Sequence, residues 1–121
     1  MSRLLRSEAD LLSVAKYISE MPQNKPEHIL GAGDPVKGQA AFGSCMACHG
    51  ADAKGVKAMH APSLVGLQDW YMAEQIKKFK AGIRAGDSRD VGGATMRGMS
   101  MSVTDDQMVM DIVSYISTLS K

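Results

Sequence analysis

Two cysteines and a histidine lie within five residues, in the stretch Cys45-Met46-Ala47-Cys48-His49. A C-x-x-C pair alone is compatible with half of a zinc site, a redox-active disulfide or the covalent attachment of haem. A histidine directly after the second cysteine favours haem, because two thiols can add to the vinyl groups on one porphyrin edge while the imidazole binds the iron. The motif therefore predicts one haem c, held by Cys45 and Cys48 and ligated by His49.

The zinc and disulfide alternatives each need further residues or elements that the sequence does not offer. Zinc needs four ligands, and outside the motif the chain offers only His28 and His60, with no second C-x-x-C and no H-x-x-x-H pair. A thioredoxin-like site needs a βαβ framework, and no segment alternates convincingly between apolar and polar residues. Two unmodified thiols between Gly43 and Gly50 would form an exposed reactive pair without an evident packing role.

The composition of the 121-residue chain describes an ordinary globular domain. Apolar residues make up 45% and charged residues 22%, which argues against disorder. A formal charge of +1 argues against nucleic acid as the main partner. No apolar run is long enough to predict a membrane-spanning helix, and the first twelve residues lack the apolar stretch of a signal peptide. Aromatic residues make up only 5%, so methionines or a large flat cofactor must fill the core.

Four amphipathic stretches predict helices and none predicts a strand, so we expect an all-α fold. Two Gly-rich loops, 50–68 and 82–103, join the later helices, and a Pro-containing linker follows the first helix from Met21 to Pro26. The predicted helices are 7–20, capped by Ser7; 35–46, opened by Asp34 and Pro35; 69–81, capped by Asp69; and 105–119, opened by Thr104, Asp105 and Asp106.

This order of elements resembles a class I cytochrome c over about residues 33–121. The resemblance implies the cytochrome c fold, with helices around one covalently bound haem. It also implies that the helix before the motif crosses the last helix through Gly38, Phe42 and Tyr115, and a glycine there would let the two backbones approach closely. The closest subfamily is the cytochrome c4 type, including c domains of multi-domain respiratory proteins, on the stretches 48–52, 61–67, 70–82 and 96–99.

The resemblance assigns the second axial ligand to the predicted loop 82–103. Met96 stands eight residues before Thr104, at the family's spacing, and with Arg97 it matches the ligand-plus-arginine pair of the c4 type. A methionine thioether raises the reduction potential of haem iron, which suits electron transfer. The alternative ligands are Met99 first, and then Met101 and His60.

Further residues receive roles around the haem. By resemblance, the carbonyl of Pro62 accepts a hydrogen bond from the second nitrogen of His49, which would orient the imidazole and raise its basicity. Lysines at 77, 78 and 80 would form a basic helix face. The remaining candidates for the haem environment, each also explicable as packing or surface, are Trp70, Tyr71, Arg84 and Arg97.

The first helix repeats the last one. Residues 7–19 echo 105–117 at a constant offset of 98, with tyrosines, isoleucines and serines aligned. We therefore expect two regions: residues 1–30, a helix and linker interpreted as the end of a preceding cytochrome domain, and residues 31–121, a cytochrome c domain. The alternative for the first region is an N-terminal extension native to a single-haem protein.

The expected function is electron transfer by a single haem with histidine and methionine ligands, between a donor and an acceptor redox protein, without enzyme activity. The alternatives are a five-coordinate haem gas sensor, a peroxidase-like enzyme, or the electron-entry domain of a larger oxidoreductase. The expected location is the bacterial periplasm, where this family acquires its haem, with the signal or preceding region absent from this chain. A dimer or a tethered domain is compatible with the sequence.

Overall fold

A computed structural model describes residues 7–22, 30–31 and 33–119 of the chain. These residues form α-helices, one short 3-10 helix at Lys57–Met59 and an isolated bridge between Val56 and Ala61, without any β-strand. Leu4, His28 and linker residues 23–26 lie outside the described part. The helices are α1 (Glu8–Glu20), α2 (Pro35–Phe42), α3 (Met46–His49), α4 (Asp69–Lys80), α5 (Val91–Ser100) and α6 (Asp106–Thr118).

The centre of the domain is the crossing of α2 with α6. Gly38 of α2 is buried, and a Cβ atom there would overlap the backbone carbonyl of Asp111, so glycine is what allows the two helices to meet. One turn later the ring of Phe42 lies 5.5 Å from the ring of Tyr115, centroid to centroid, at an angle of 53°. The crossing that the resemblance implies is confirmed.

The hydrophobic core extends from this crossing towards α4 and the loop after α3. The amphipathic pattern of α6 places one apolar stripe against both α2 and α4. The loops add Ala53, Val65 and Val103, which close the core from the sides. The buried apolar residues of the helices are Phe42, Met72, Ala73, Phe79, Val109, Ile112, Val113 and Ile116.

The helix predicted at 35–46 is wrong at its end. Asp34 caps α2 by accepting hydrogen bonds from the backbone of Val36 and Lys37, as the sequence indicates, but the helix stops at Phe42. Gly43 follows, and the N–H of Cys45 donates to the carbonyl of Phe42 at 2.8 Å in a tight turn. Glycine weakens helix continuation, and the turn starts a separate short helix for the motif.

The loop predicted at 82–103 is also wrong, because it contains the ten-residue helix α5. The side chain of Asp90 caps this helix by accepting a hydrogen bond from the N–H of Gly93 at 2.7 Å. Glycines at 92, 93 and 98 lower the intrinsic helix propensity of α5, so the sequence does not predict this helix. Packing against α4 is what the sequence alone does not reveal.

The prediction that Asp69 caps its helix is wrong, because Asp69 is instead a buried anchor. Gln68 occupies the cap position of α4 without a side-chain hydrogen bond. The carboxylate of Asp69 accepts hydrogen bonds from the N–H groups of Leu30, at 2.8 Å, and Trp70. Together with Asp111, which accepts the N–H of Asp34 at 2.8 Å, it ties the segment before α2 to α4 and α6.

The N-terminal helix α1 contributes none of its residues to this core. Ser7 caps it by accepting the N–H of Asp10 at 3.1 Å, and its bounds agree with the predicted helix at 7–20. None of its residues is buried. None of the described helices is both long and apolar enough to cross a membrane.

Candidate functional site

The Cys45–His49 motif forms a single turn after α2. The N–H groups of Cys48 and His49 both donate to the carbonyl of Cys45, at 3.2 and 2.9 Å, so both thiols and the imidazole extend from one short stretch of backbone. The thiols are free and half-buried, whereas the imidazole is buried. Burial raises the pKa of the Cys45 thiol, while the hydroxyl of Ser44 partly opposes this shift.

The imidazole of His49 is held by the next loop. Its Nδ1 atom lies 2.9 Å from the carbonyl oxygen of Pro62. A carbonyl can only accept, so Nδ1 carries the proton and the lone pair of the neutral ring belongs to Nε2. The ring is thereby fixed in the tautomer and direction that a metal ligand requires.

A close backbone approach brings Pro62 to that position. Gly55 has a φ of +84°, and a Cβ atom there would lie 2.6 Å from the carbonyl oxygen of Ala61 and 2.7 Å from the carbonyl carbon of Pro62. The N–H of Gly55 donates to the carbonyl of His49 at 2.8 Å, and Val56 pairs with Ala61 across the loop. The loop therefore folds back against the motif through a position that only glycine fits.

The three methionines of the predicted ligand segment differ in exposure. Met96 is half-buried on α5, whereas Met99 is 39% exposed and Met101, at the C-terminal cap, is 63% exposed. Met96 is thus the least exposed of the three. His60, the weakest candidate, is exposed at the end of the 3-10 turn.

The aromatic and basic candidates take different positions. Trp70 and Tyr71 are both partly exposed and pack edge to face, with ring centroids 6.0 Å apart. Arg97 is exposed, with its guanidinium against Gly82 at the end of α4. Within the described part of the chain, neither these side chains nor Arg84 form a hydrogen bond with the motif.

The predicted basic face of α4 is paired within the protein, and so is Arg84. Lys77 lies 3.0 Å from Asp106, and Lys78 lies 3.6 Å from Glu74. Lys80 donates to the carbonyl of Val103. The guanidinium carbon of Arg84 lies 4.4 Å from the ring centroid of Phe79, and the same group donates to Gln75 at 2.9 Å.

The donor set fits haem c and not a simple metal ion. No cluster of three His, Cys, Asp or Glu side chains that could hold a metal ion occurs among the residues with described positions. What the motif offers is two free thiols for thioether bonds and one oriented imidazole, and α5 adds a soft thioether donor from a separate helix. A haem accepts all of these, whereas a tetrahedral zinc site would need a fourth ligand nearby.

Comparisons with known proteins point to the same cofactor. A sequence-family model described as "Cytochrome c" matches residues 35–120. Cytochrome c-554(548) of Halomonas halodenitrificans is 33% identical over 87 residues, which cover 72% of this chain and 98% of that protein. A protein of Thiomonas intermedia described as a thiosulfate dehydrogenase electron acceptor is 37% identical over 76 residues, which cover 63% of this chain but 31% of that protein.

A solved structure extends the comparison beyond the family match. The structure of Acidithiobacillus ferrooxidans cytochrome c4 aligns with a TM-score of 0.65 and 25% identity, over 93% of this chain and 65% of that chain. Residues 1–34 make up more than a quarter of the present sequence, so an alignment over 93% of it includes part of the segment before α2.

Proposed function

This chain belongs to the cytochrome c family and transfers electrons through a covalently bound haem c, and we propose that it is a one-electron carrier with histidine and methionine ligands rather than an enzyme. The observation that carries the proposal is the hydrogen bond from Nδ1 of His49 to the carbonyl of Pro62. His49 lies on the same turn as both cysteines. When bound, the haem supplies the change between Fe(III) and Fe(II).

Each residue of the site has a distinct task in this proposal. Cys45 and Cys48 hold the porphyrin by thioether bonds, which prevent its loss from a small domain. His49 presents Nε2 as the proximal ligand, since Pro62 keeps the proton on Nδ1. Met96 supplies a thioether from α5, which favours the reduced state and raises the potential. If His49 and Met96 both bind the iron, no coordination position would remain open for a substrate.

The sensor and peroxidase alternatives receive less support. Such proteins need an open axial position and a nearby acid–base group. His60 is exposed, the guanidinium of Arg97 lies against Gly82, and Arg84 is occupied by Phe79 and Gln75. The half-buried thioether of Met96 supports a six-coordinate carrier instead.

The domain organisation is a further part of the proposal. We assign residues 1–30 to a helix and linker that correspond to the end of a preceding cytochrome unit, and residues 31–121 to the haem domain. The offset of 98 between α1 and α6 supports this division, as does the reach of the cytochrome c4 alignment into the segment before α2. Leu30 packs against the core, so the last residue of the first region already contacts the haem domain.

This organisation bears on partners and location. The relative from Thiomonas, of which the chain spans less than a third, is described as an electron acceptor, which supports a role between a redox donor and a redox acceptor, free or tethered. We place the protein in the periplasm as part of a respiratory chain, by analogy with the c4 type. Its contacts with partners should be brief and bury less than about 1,200 Å².

The test is the absorption spectrum of the protein produced with haem-attachment machinery. Methionine-ligated ferric haem has a weak far-red charge-transfer band, which we expect in the oxidised protein. Met96→Ala should abolish this band, whereas Met99→Ala, the matched control on the same helix, should keep it. A covalent haem without the band, combined with ready CO binding to the reduced protein, would replace the carrier with a sensor or an enzyme.

A further inference from the structure

We propose that Ser100 is the positioning residue for Met96: its hydroxyl closes the last turn of α5 and so fixes where the Met96 thioether stands. The inference rests on the proposed ligation by Met96 and concerns a residue whose type gives no signal in the sequence. Three observations carry it: the burial of Ser100, its hydrogen bond and its place on the helix.

Ser100 is a buried polar residue with a single defined partner. It is 2% exposed, among the most buried side chains of the domain. Its Oγ donates to the carbonyl of Arg97 at 2.7 Å. A buried hydroxyl without such a bond would be costly, so the bond defines one rotamer and one geometry for this turn.

The backbone explains why the carbonyl of Arg97 needs that donor. At the end of α5 the N–H of Met101 donates to Gly98, at 3.3 Å, instead of reaching back four residues to Arg97. The last carbonyls of a helix lack regular partners, and here the Ser100 hydroxyl takes the missing place. The carbonyl of Ser100 also accepts the N–H of buried Val103 at 3.2 Å, so both polar ends of Ser100 hold the turn after α5.

The position of Ser100 on the helix connects this turn with Met96. Residues four apart lie on the same helix face, one above the other. Helical side chains also lean towards the N-terminus, so the Ser100 side chain extends along that face towards the turn that carries Met96. Because the hydroxyl is engaged by the Arg97 carbonyl, it does not compete for the sulfur lone pair of Met96.

Ser102 provides a matched control. Its Oγ donates to the carbonyl three residues earlier, that of Met99, at the same distance of 2.7 Å. Unlike Ser100, Ser102 is exposed, and the residue four positions before it is Gly98. Ser102→Ala therefore removes the same kind of bond from the same end of the helix without touching the Met96 face.

The experiment measures the sixth ligand directly in the haem-loaded full chain. In Ser100→Ala we expect a weaker far-red band, a lower midpoint potential and an imidazole affinity for the ferric protein that rises about threefold to tenfold, since one net hydrogen bond no longer holds the ligand turn. Ser102→Ala should match the wild type in all three. Val103→Ala, which loosens the same corner without removing the hydroxyl, should change thermal stability more than the potential.

The outcomes separate this inference from the proposed function. If the band survives Met96→Ala, the ligand assignment itself fails. If Met96→Ala abolishes the band but Ser100→Ala behaves like Ser102→Ala or Val103→Ala, only the role of Ser100 is overturned. Should Ser100→Ala give no folded haem protein, Ser100→Thr decides: a wild-type band with the hydroxyl retained supports the proposal, and a lost band contradicts it.

Discussion

α1 and α6 share a sequence pattern but have opposite environments. At the offset of 98, six apolar positions of α1 coincide with apolar positions of α6. In α6 the stripe Val109, Ile112, Val113 and Ile116 is only 1–3% exposed, whereas in α1 the large residues Leu11, Leu12, Val14, Tyr17 and Ile18 are 40–68% exposed.

The comparison teaches that an amphipathic pattern predicts a helix but not its partner. α6 is buried because α2 offers Gly38, which admits the backbone of α6, and Phe42, which meets Tyr115. α1 has the matching stripe and a matching Tyr17, but no described helix of this domain buries it. The stability of the domain should therefore depend on α6 and be nearly indifferent to α1.

The largest contrast is expected from a pair of substitutions at corresponding positions. Ile112→Ala opens a cavity in the core and should lower the free energy of unfolding by about 2–5 kcal/mol. Val14→Ala, its counterpart in α1, should change it by less than about 0.5 kcal/mol. Urea unfolding of the haem protein measures both. A cost at Val14 similar to that at Ile112 would show that α1 is part of the same cooperative unit.

A second prediction concerns the crossing that α1 lacks. Gly38→Ala places a methyl group where the Asp111 carbonyl lies, so the two helices must separate, at a cost of about 1–3 kcal/mol. Gly92→Ala is the control, because a Cβ atom there meets nothing within 4 Å. It should stabilise α5 by up to about 1 kcal/mol. Equal effects of the two substitutions on thermal unfolding would contradict the close approach.

The third prediction is an acid-dependent difference between the helices. The pKa of Asp111 is held below its ordinary value of 3.8 because the N–H of Asp34 and the side-chain amide of Gln107 donate to the carboxylate. A lowered folded-state pKa gives stability that is complete above the ordinary value and is lost as the pH falls through the lowered one. Asp111→Asn should therefore reduce the loss of stability at low pH, measured by urea titrations below about pH 4.

The control for this acid effect lies at the corresponding position of α1. Ser13 takes the place of Asp111 there, is exposed, and donates to the carbonyl of Ala9 at 2.8 Å. Ser13→Ala should leave the pH dependence as it is. If Asp111→Asn loses as much stability at low pH as the wild type does, other carboxylates cause that loss.

The smallest effect should come from surface ion pairs. Lys77 and Asp106 join α4 to the start of α6 at 3.0 Å, whereas Lys16 and Glu20 pair within α1 at 3.8 Å. A double-mutant cycle should give about 0.5 kcal/mol or less for the first pair. The second pair should give no measurable coupling in global unfolding, since α1 is not buried. A larger coupling in α1 would reverse the comparison.

The elements that have local sequence signals, such as caps and apolar stripes, could be predicted from the sequence. α1 and α6 were recognisable by their caps and stripes, and the contact of Gly38 with α6 was expected from the family resemblance. α5 was not, because its glycines lower helix propensity and its packing against α4 is non-local. Asp69 was read as a cap because carboxylates favour that position, while its real partner, the N–H of Leu30, is 39 residues away in sequence.

The candidate site divides in the same way. The motif Cys45–His49 is a local signal, so its chemistry can be inferred from the sequence without a structure. The approach of Pro62 to His49 was expected by family resemblance, and its distance of 2.9 Å comes from the structure. Ser100 gave no signal, since nothing in the sequence indicates that a serine in a stretch of glycines and methionines is buried.

The pairing of the α4 lysines has a consequence for the kinetics of encounter. Lys77 and Lys78 are balanced by carboxylates, Lys80 donates to a backbone carbonyl, and the whole chain has a formal charge of +1. Association rates steered by charge fall steeply as salt is added, because mobile ions screen the attraction. With little uncompensated charge to screen, this protein should meet its partners at nearly the same rate in dilute and in concentrated salt.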